Sequence, residues 1–215
     1  MEESPLMVLS RVVVPPWPVV DLEIFFGDFV AFLAGESAGK SRLARVMAGL
    51  ASPESGRVVW HGEPGGIGMV FRVPDLRFLC ATPREEVALT PAARGVQGEA
   101  LRERIEESLA LAGVDGALLD REWIGLSASE RYRVALASVF AARPGLMILD
   151  EPGNMLSDAG EEALADSLRQ FSRIHGTAMV FFTSRAPRAE RFASRIVSTI
   201  IEKKEGVWGI HSPGL

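Results

Sequence analysis

The sequence is poor in cysteine and has no long apolar run, and each shortage excludes a class of protein. The single cysteine, Cys80, rules out an internal disulfide and a multi-cysteine metal site. The longest apolar stretches, such as Phe29 to Ala34, have the length of a strand and fall far short of the ~20 residues that a membrane-spanning helix needs. The opening residues MEESPLMVLS carry acids where a secretory signal carries bases. We therefore expect a soluble, cytosolic chain.

Basic charge is also scarce. The 23 Lys and Arg residues are outnumbered by 28 Asp and Glu residues, which gives a net charge of −5. Binding to nucleic acid without regard to its sequence needs a basic face, so we expect no nucleic-acid partner. The 215 residues, of which 47% are apolar and 24% charged, suit either one globular domain with a generous core or one core that carries a small appendage.

The pattern that is present is an alternation of short β-rich runs with helical stretches, which favours an α/β fold. A helical insert, at roughly residues 76–130, is expected to interrupt a β-containing core. The predicted strands are Leu6 to Val14, Asp28 to Leu33, Arg57 to His61, Gly66 to Phe71, Leu146 to Leu149, Ala178 to Phe182, Ile196 to Ile201 and Val207 to Ile210. The predicted helices are Gly39 to Leu50, Gln97 to Ala112 and Ser127 to Ala142.

A phosphate-binding loop follows the second of these strands. The apolar run that ends at Leu33 leads into a loop of small residues and then into a helix. Small residues let backbone N–H groups turn towards phosphates, and the helix start adds a positive dipole end. Lys40 would reach the outer phosphates, and the Ser41 hydroxyl would bind Mg²⁺. The predicted nucleotide-binding residues of this segment are Ala34, Gly35, Glu36, Ser37, Ala38, Gly39, Lys40, Ser41 and Arg42. The alternative is a Gly/Ser turn that only caps a helix.

A second candidate site is acidic. The apolar run Leu146 to Leu149 ends in the carboxylates Asp150 and Glu151. An acid at the end of such a strand holds Mg²⁺ in enzymes that have a phosphate-binding loop, and Asp150 would take that role. Glu151 would polarise a water that attacks the γ-phosphate and is the predicted catalytic residue. The alternative is a solvated acidic strand end with no ligand.

Together these segments resemble the ATP-binding subunits of ABC transporters, over nearly the whole chain. Leu126-Ser127-Ala128-Ser129-Glu130 stands where that family has its LSGGQ signature, and the following residues up to Pro144 are similar to the family's run into the acidic strand. The segments Ile67 to Arg72 and Ala81 to Ala88 look most like cobalt-type or energy-coupling-factor importers. The resemblance implies a P-loop NTPase core of the ABC ATPase type with an antiparallel β subdomain and a helical insert.

The resemblance also implies ligands, partners and domain limits. ATP and Mg²⁺ would be the cofactors, with Ser41 and Asp150 as the metal ligands. The expected domains are residues 1–75, holding a β subdomain and the phosphate loop, 76–130, a helical subdomain, and 131–215, the rest of the core. Two such subunits face each other and sandwich each nucleotide, so the expected partners are a transmembrane permease and a second ATPase subunit, identical or different. The location would be cytoplasmic, peripheral at the inner face of the cell membrane.

The signature departs from the family pattern. Ala128 and Ser129 replace its glycines, and Glu130 replaces its glutamine. These side chains would crowd the approach to a partner's γ-phosphate, and the carboxylate would repel it. Ser127 is the nucleotide-contacting candidate of this segment. Its alternative is purely structural, because Ser-x-x-Glu is also a helix capping box.

Further departures lie in the loop and at two γ-phosphate positions. Ser37 replaces the inner loop glycine and Arg42 replaces a Thr, which would weaken nucleotide binding without abolishing it. Arg72 stands at the lining glutamine and Ser184 at the switch histidine. We therefore expect a chain that binds MgATP to power a membrane transporter and turns it over slowly alone. The alternative is a nucleotide-binding regulatory subunit, with little or no hydrolysis, that works beside a more complete ATPase.

Trp17 is the candidate for stacking on the adenine base. It lies in the stiff segment Val14 to Pro18, upstream of the lysine loop, where the family usually has an aromatic residue. The alternative is a hydrophobic plug over the small sheet.

Overall fold

The computed structural model describes residues 4–63, 66–73 and 78–198, which form two sheets and six α-helices. The strands are β1 Met7–Val13, β2 Val20–Ile24, β3 Phe29–Leu33, β4 Ser55–Trp60, β5 Ile67–Val70, β6 Leu146–Asp150, β7 Ala178–Thr183 and β8 Arg195–Ser198. The helices are α1 Lys40–Met47, α2 Pro83–Ala93, α3 Gly98–Ala112, α4 Ala128–Ala142, α5 Asp158–His175 and α6 Ala186–Phe192.

The larger sheet is parallel and has the order β5-β6-β7-β3-β8. Its register aligns Asp150 with Phe182 and Leu33 with Thr183. The carboxyl ends of β5, β6, β7 and β3 therefore lie along one edge, which is where ligands bind in open α/β sheets. The smaller sheet, β2-β1-β4, is antiparallel.

Side chains of the parallel strands alternate between two apolar clusters. In β7, Met179 and Phe181 belong to a cluster with the helices α3, α4 and α5. Their neighbours Val180 and Phe182 belong to a cluster with the antiparallel sheet and α1. The strands are continuous apolar runs because both faces of the parallel sheet are covered.

Several predicted elements are confirmed, and others are additions. The structure has strands within all the predicted strand segments up to residue 198, and α1, α3 and α4 at the predicted helices. Additions are β2, α5, α6 and, within the expected insert, α2. The predicted strand Val207 to Ile210, the end of the strand that begins at Ile196 and the expected domain boundary at 75/76 lie outside the described residues.

Candidate functional site: a phosphate loop facing two carboxylates

The loop after β3 has the backbone shape of a phosphate cradle. Ser37 and Gly39 have φ values of 63° and 74°, in the left-handed region. A Cβ on Gly39 would lie 2.9 Å from Cδ of Pro16, so this position accepts only glycine. Helix α1 begins at the next residue, Lys40. The residues 35–37 are exposed, which leaves the top of the loop open to a ligand.

Lys40 is the buried centre of the site. Its side chain is only 7% exposed, and its ammonium donates to the carbonyl oxygens of Ala34 at 3.0 Å and Gly35 at 2.7 Å. The same Nζ lies 3.2 Å from Oε1 of Glu151. The structure thus brings together the lysine and the acidic strand end, which the sequence separates by more than a hundred residues.

Asp150 has the chemistry of a metal ligand. It is 4% exposed, and its Oδ1 is buried with no hydrogen-bond partner among the described residues. Burial raises the pKa of the Asp150 carboxyl and Glu151 adds to the rise, whereas the Ser41 hydroxyl, Arg72 and Lys40 oppose it. A buried orphan carboxylate oxygen beside a serine hydroxyl fits Mg²⁺, which is held by one or two protein oxygens and the substrate's phosphates. Within the described ranges, no cluster of three or more His, Cys, Asp or Glu side chains offers a fuller cage.

A buried arginine and a second glutamate extend the site. Nη1 of Arg188, on α6, lies 3.5 Å from Oε2 of Glu151, and Nη2 of Arg188 bonds Oε1 of Glu161, on α5. All three side chains are almost completely buried. The result is a row of alternating charges that runs from Lys40 through Glu151 and Arg188 to Glu161. Buried charges are tolerated when they are paired in this way.

Sequence reasoning missed Arg188 and Glu161, although one signal could have found Glu161. In α5 the buried positions include Glu161, Leu164, Ala165 and Leu168, spaced as one helical face. An acid in line with that apolar stripe indicates a buried charge that needs a partner. Which cation serves as that partner depends on how α6 packs on α5, and no local sequence pattern contains that information.

Arg72, Ser184 and Arg42 lie around this edge. Arg72 follows β5 and is exposed, and its positive charge partly opposes the rise that burial causes in the pKa of Asp150. Ser184 is half-buried directly after β7, the strand between β6 and β3. The guanidinium of Arg42 pairs with Glu54 at 3.3 Å.

Ser127 forms the capping box that the alternative interpretation described. It is the N-cap of α4, and its Oγ accepts from the Glu130 N–H at 3.3 Å. The Ser127 N–H and hydroxyl each lie 2.7 Å from Oε2 of Glu130. These hydrogen bonds lower the pKa of the exposed Glu130 carboxyl. Ser127 is itself exposed, so a capping role and a contact with a second molecule remain compatible.

Trp17 occupies the position of the hydrophobic plug. It is 5% exposed, and its ring packs edge-on against Phe32 at 5.6 Å and Phe182 at 6.5 Å between centroids. Stacking on a base needs an accessible ring face. The structure therefore favours the plug over the predicted adenine contact, and the reason is that the Pro-rich segment folds inward on the core.

A family model described as "ABC transporter" matches residues 19–154. The chain therefore belongs to the ABC transporter family, and the predicted family and fold class are confirmed. It is similar to the energy-coupling factor transporter ATP-binding protein EcfA1 of Bacillus subtilis, with 34% identity over 83% of this chain and 66% of that protein. EcfA1 of Halalkalibacterium halodurans is 31% identical over 86% of this chain and 69% of that protein.

Solved structures agree with this assignment. The dimeric, post-hydrolysis ATP-binding cassette MJ0796 bound to ADP and Pi has a TM-score of 0.76 at 25% identity, over 89% of this chain and 93% of that chain. CbiO1 of Clostridium perfringens, part of the transporter complex CbiONQ, has a TM-score of 0.78 over 91% of this chain and 85% of that chain. Its identity of 22% shows the fold alone.

An ABC transporter ATP-binding protein of Methanosarcina mazei is 36% identical over 76% of this chain, but the match spans only 59% of that protein's length.

In the part of the chain that the structure describes, none of the helices has the length and apolar character needed to cross a membrane.

Proposed function

We propose that this chain binds ATP with Mg²⁺, hydrolyses it and thereby powers an ABC-type membrane transporter. The observation that carries the proposal is the meeting of Lys40 with the Asp150–Glu151 strand end at the carboxyl edge of the parallel sheet. Membership of the family supports the nucleotide, and the orphan oxygen of Asp150 supports the metal.

Each residue has a distinct task in this proposal. The loop amides and the Lys40 ammonium hold the phosphates, while the Ser41 hydroxyl and Asp150 hold Mg²⁺, which neutralises phosphate charge when bound. Glu151 accepts a proton from the attacking water. Its placement 3.2 Å from Lys40, the side chain that would touch the outer phosphates, supports that assignment.

The proposed partners are a transmembrane permease and a second ATPase subunit, with the chain at the inner face of the membrane. The relatives named EcfA1 and the CbiONQ component are parts of such transporters, and MJ0796 forms a dimer. A homodimer would place two copies of Glu130 at its signature positions. The negative charge of that side chain favours a different second subunit with a more complete signature.

The decisive experiment measures phosphate release and nucleotide binding separately. The purified full chain is mixed with ATP and Mg²⁺, alone and with any permease or ATPase subunit that is encoded beside its gene, and calorimetry gives the ATP affinity. Binding with phosphate release that Glu151→Gln abolishes supports the proposal. Binding without release in any combination would leave the regulatory alternative, and no binding would reject both.

A second experiment addresses the slow turnover that the departures predict. The double variant Arg72→Gln plus Ser184→His restores the family's residues at the lining and switch positions. Turnover should rise while ATP affinity stays the same. If hydrolysis stays at background while binding is intact, these two positions do not explain the deficit.

A further inference from the structure

We propose that Arg188 is a positioning residue whose guanidinium, anchored on Glu161, holds the Glu151 carboxylate in its working orientation. The inference rests on the proposed function in one respect, namely that Glu151 acts on the attacking water. Arg188 lies on α6, 37 positions beyond Glu151, and the side chains of both are at most 5% exposed.

The first step of the argument is the geometry of Glu151. Its two carboxylate oxygens face different cations, Oε1 the Lys40 ammonium at 3.2 Å and Oε2 the Arg188 guanidinium at 3.5 Å. Its backbone is also unusual, with φ at 51° and the N–H donating to the Phe182 carbonyl at 2.8 Å. A carboxylate with a separate cation on each oxygen has one favourable rotation, because any other leaves a buried charge unpaired.

The second step is the different nature of these two cations. Lys40 is the side chain that would bind the outer phosphates, so its ammonium is shared between Glu151 and the ligand. The ion pairs of Arg188 are with the carboxylates of Glu151 and Glu161. Arg188 is therefore the cation that stays on Glu151 when Lys40 turns to phosphate.

The third step is that Arg188 is itself fixed. Nη2 of Arg188 donates a hydrogen bond to Oε1 of Glu161, and Nη1 of Arg185 lies 3.5 Å from the same oxygen. The stem of Glu161 packs on Gly153, where an added Cβ would lie 2.8 Å from Cγ of Glu161. Since φ of Gly153 is 76°, this close approach needs glycine. The loop after Glu151, α5 and α6 thus enclose the Arg188–Glu161 pair.

The test compares Arg188→Met, Arg188→Lys and a control, Arg191→Met, which removes an exposed arginine from the same helix. For the full chain, ATP affinity, single-turnover phosphate release and melting temperature are measured. Arg188→Met should lower turnover about 10- to 100-fold with ATP affinity within about threefold of wild type. Arg188→Lys should recover part of the turnover, and Arg191→Met should change neither ATP affinity nor turnover. Equal losses of affinity and turnover, without recovery by lysine, would overturn the proposal.

A second measurement does not depend on hydrolysis. Melting temperatures of Glu151→Gln, Arg188→Met and the double variant form a cycle that reports the coupling of the two side chains. We expect the melting temperature of the double variant to fall by much less than the sum of the decreases in the two single variants. Additive decreases would overturn the proposal. If the wild type binds ATP but releases no phosphate, the proposed hydrolysis fails while a non-additive cycle still supports the hold of Arg188 on Glu151.

If Arg188→Met does not fold, Glu161→Gln replaces it. That variant keeps the guanidinium of Arg188 and removes the negative charge that anchors it. Turnover should fall by a smaller factor than with Arg188→Met, again with ATP affinity retained. Unchanged turnover would contradict the anchoring role of Glu161.

Discussion

The edge of the parallel sheet and the start of α4 both carry predicted nucleotide contacts, yet they are built in opposite ways. At the sheet edge, buried charges from four separate segments pair across the fold, as with Lys40 and Glu151 at 3.2 Å. At the start of α4, Ser127 and Glu130 are three positions apart and bond each other at the surface. A local, exposed pattern therefore suffices for a helix cap, whereas the charge row exists only when distant elements pack correctly. Substitutions at the sheet edge should therefore impair ATP and Mg²⁺ binding far more than substitutions at the cap.

The largest effect is expected for Lys40→Met. It removes the cation that would face the outer phosphates, so ATP affinity should fall about 100-fold, the value of one or two charge-assisted hydrogen bonds. Calorimetry with ATP and Mg²⁺ measures it. Arg45→Met, an exposed basic residue of the same helix, is the matched control and should bind normally. Normal binding by Lys40→Met would contradict the assignment of the loop.

Asp150→Asn should separate metal binding from stability. The Mg²⁺ concentration that half-saturates ATP binding should rise about tenfold or more, because an anionic ligand is lost. Without Mg²⁺, the free energy of unfolding at neutral pH should not fall. Burial raises the pKa of Asp150, so the wild type loses stability as pH rises from the ordinary carboxyl range through the raised value, and asparagine removes that loss.

Urea unfolding of wild type and Asp150→Asn at two pH values, one below the ordinary carboxyl pKa and one near neutral, checks this sign. The variant should show the smaller pH dependence. A marked loss of stability at neutral pH would instead mean that the ionised Asp150 stabilises the fold.

Ser127→Ala sharpens the comparison at the cap. Loss of the capping hydroxyl should lower the free energy of unfolding by about 1 kcal/mol. Thr82→Ala is the matched control, since Thr82 and Glu85 form the same capping box on α2. Equal stability losses with turnover unchanged in both would make Ser127 only a cap. A turnover loss confined to Ser127→Ala would add a nucleotide contact.

The smallest effect concerns His175, at the end of α5. Burial lowers the pKa of His175, with the neighbouring Glu107 opposing the shift at 3.4 Å. Because the unfolded chain binds the proton more tightly, stability should fall as pH drops below the ordinary histidine range. His175→Asn should therefore reduce the change of the free energy of unfolding with pH, measured by urea unfolding between about pH 5 and pH 7. An unchanged pH dependence would mean that other groups cause it.

The strands of the parallel sheet, the phosphate loop and the acidic strand end were predictable because each is a contiguous pattern. The apolar run before Lys40 and the one before Asp150 have the length and composition of buried parallel strands. The capping box at Ser127 was also readable, since its two partners lie in one helical turn. Trp17 was ambiguous, because a stiff Pro-rich segment predicts that a ring is presented but not the direction in which it points.

What the amino-acid order determined by itself is the strands of the parallel sheet and the chemistry that follows two of them: a lysine loop with its serine hydroxyl after β3 and two acids at the end of β6. Tertiary structure alone decided the strand order that sets Glu151 against Lys40, the inward turn of Trp17 and the pairing of Arg188 with Glu161, which lies 27 positions earlier in the chain. The physical reason is the difference in sequence distance over which these interactions act. Backbone conformation and capping act within a few residues, whereas a buried charge is satisfied by whichever opposite charge the packed helices bring within reach.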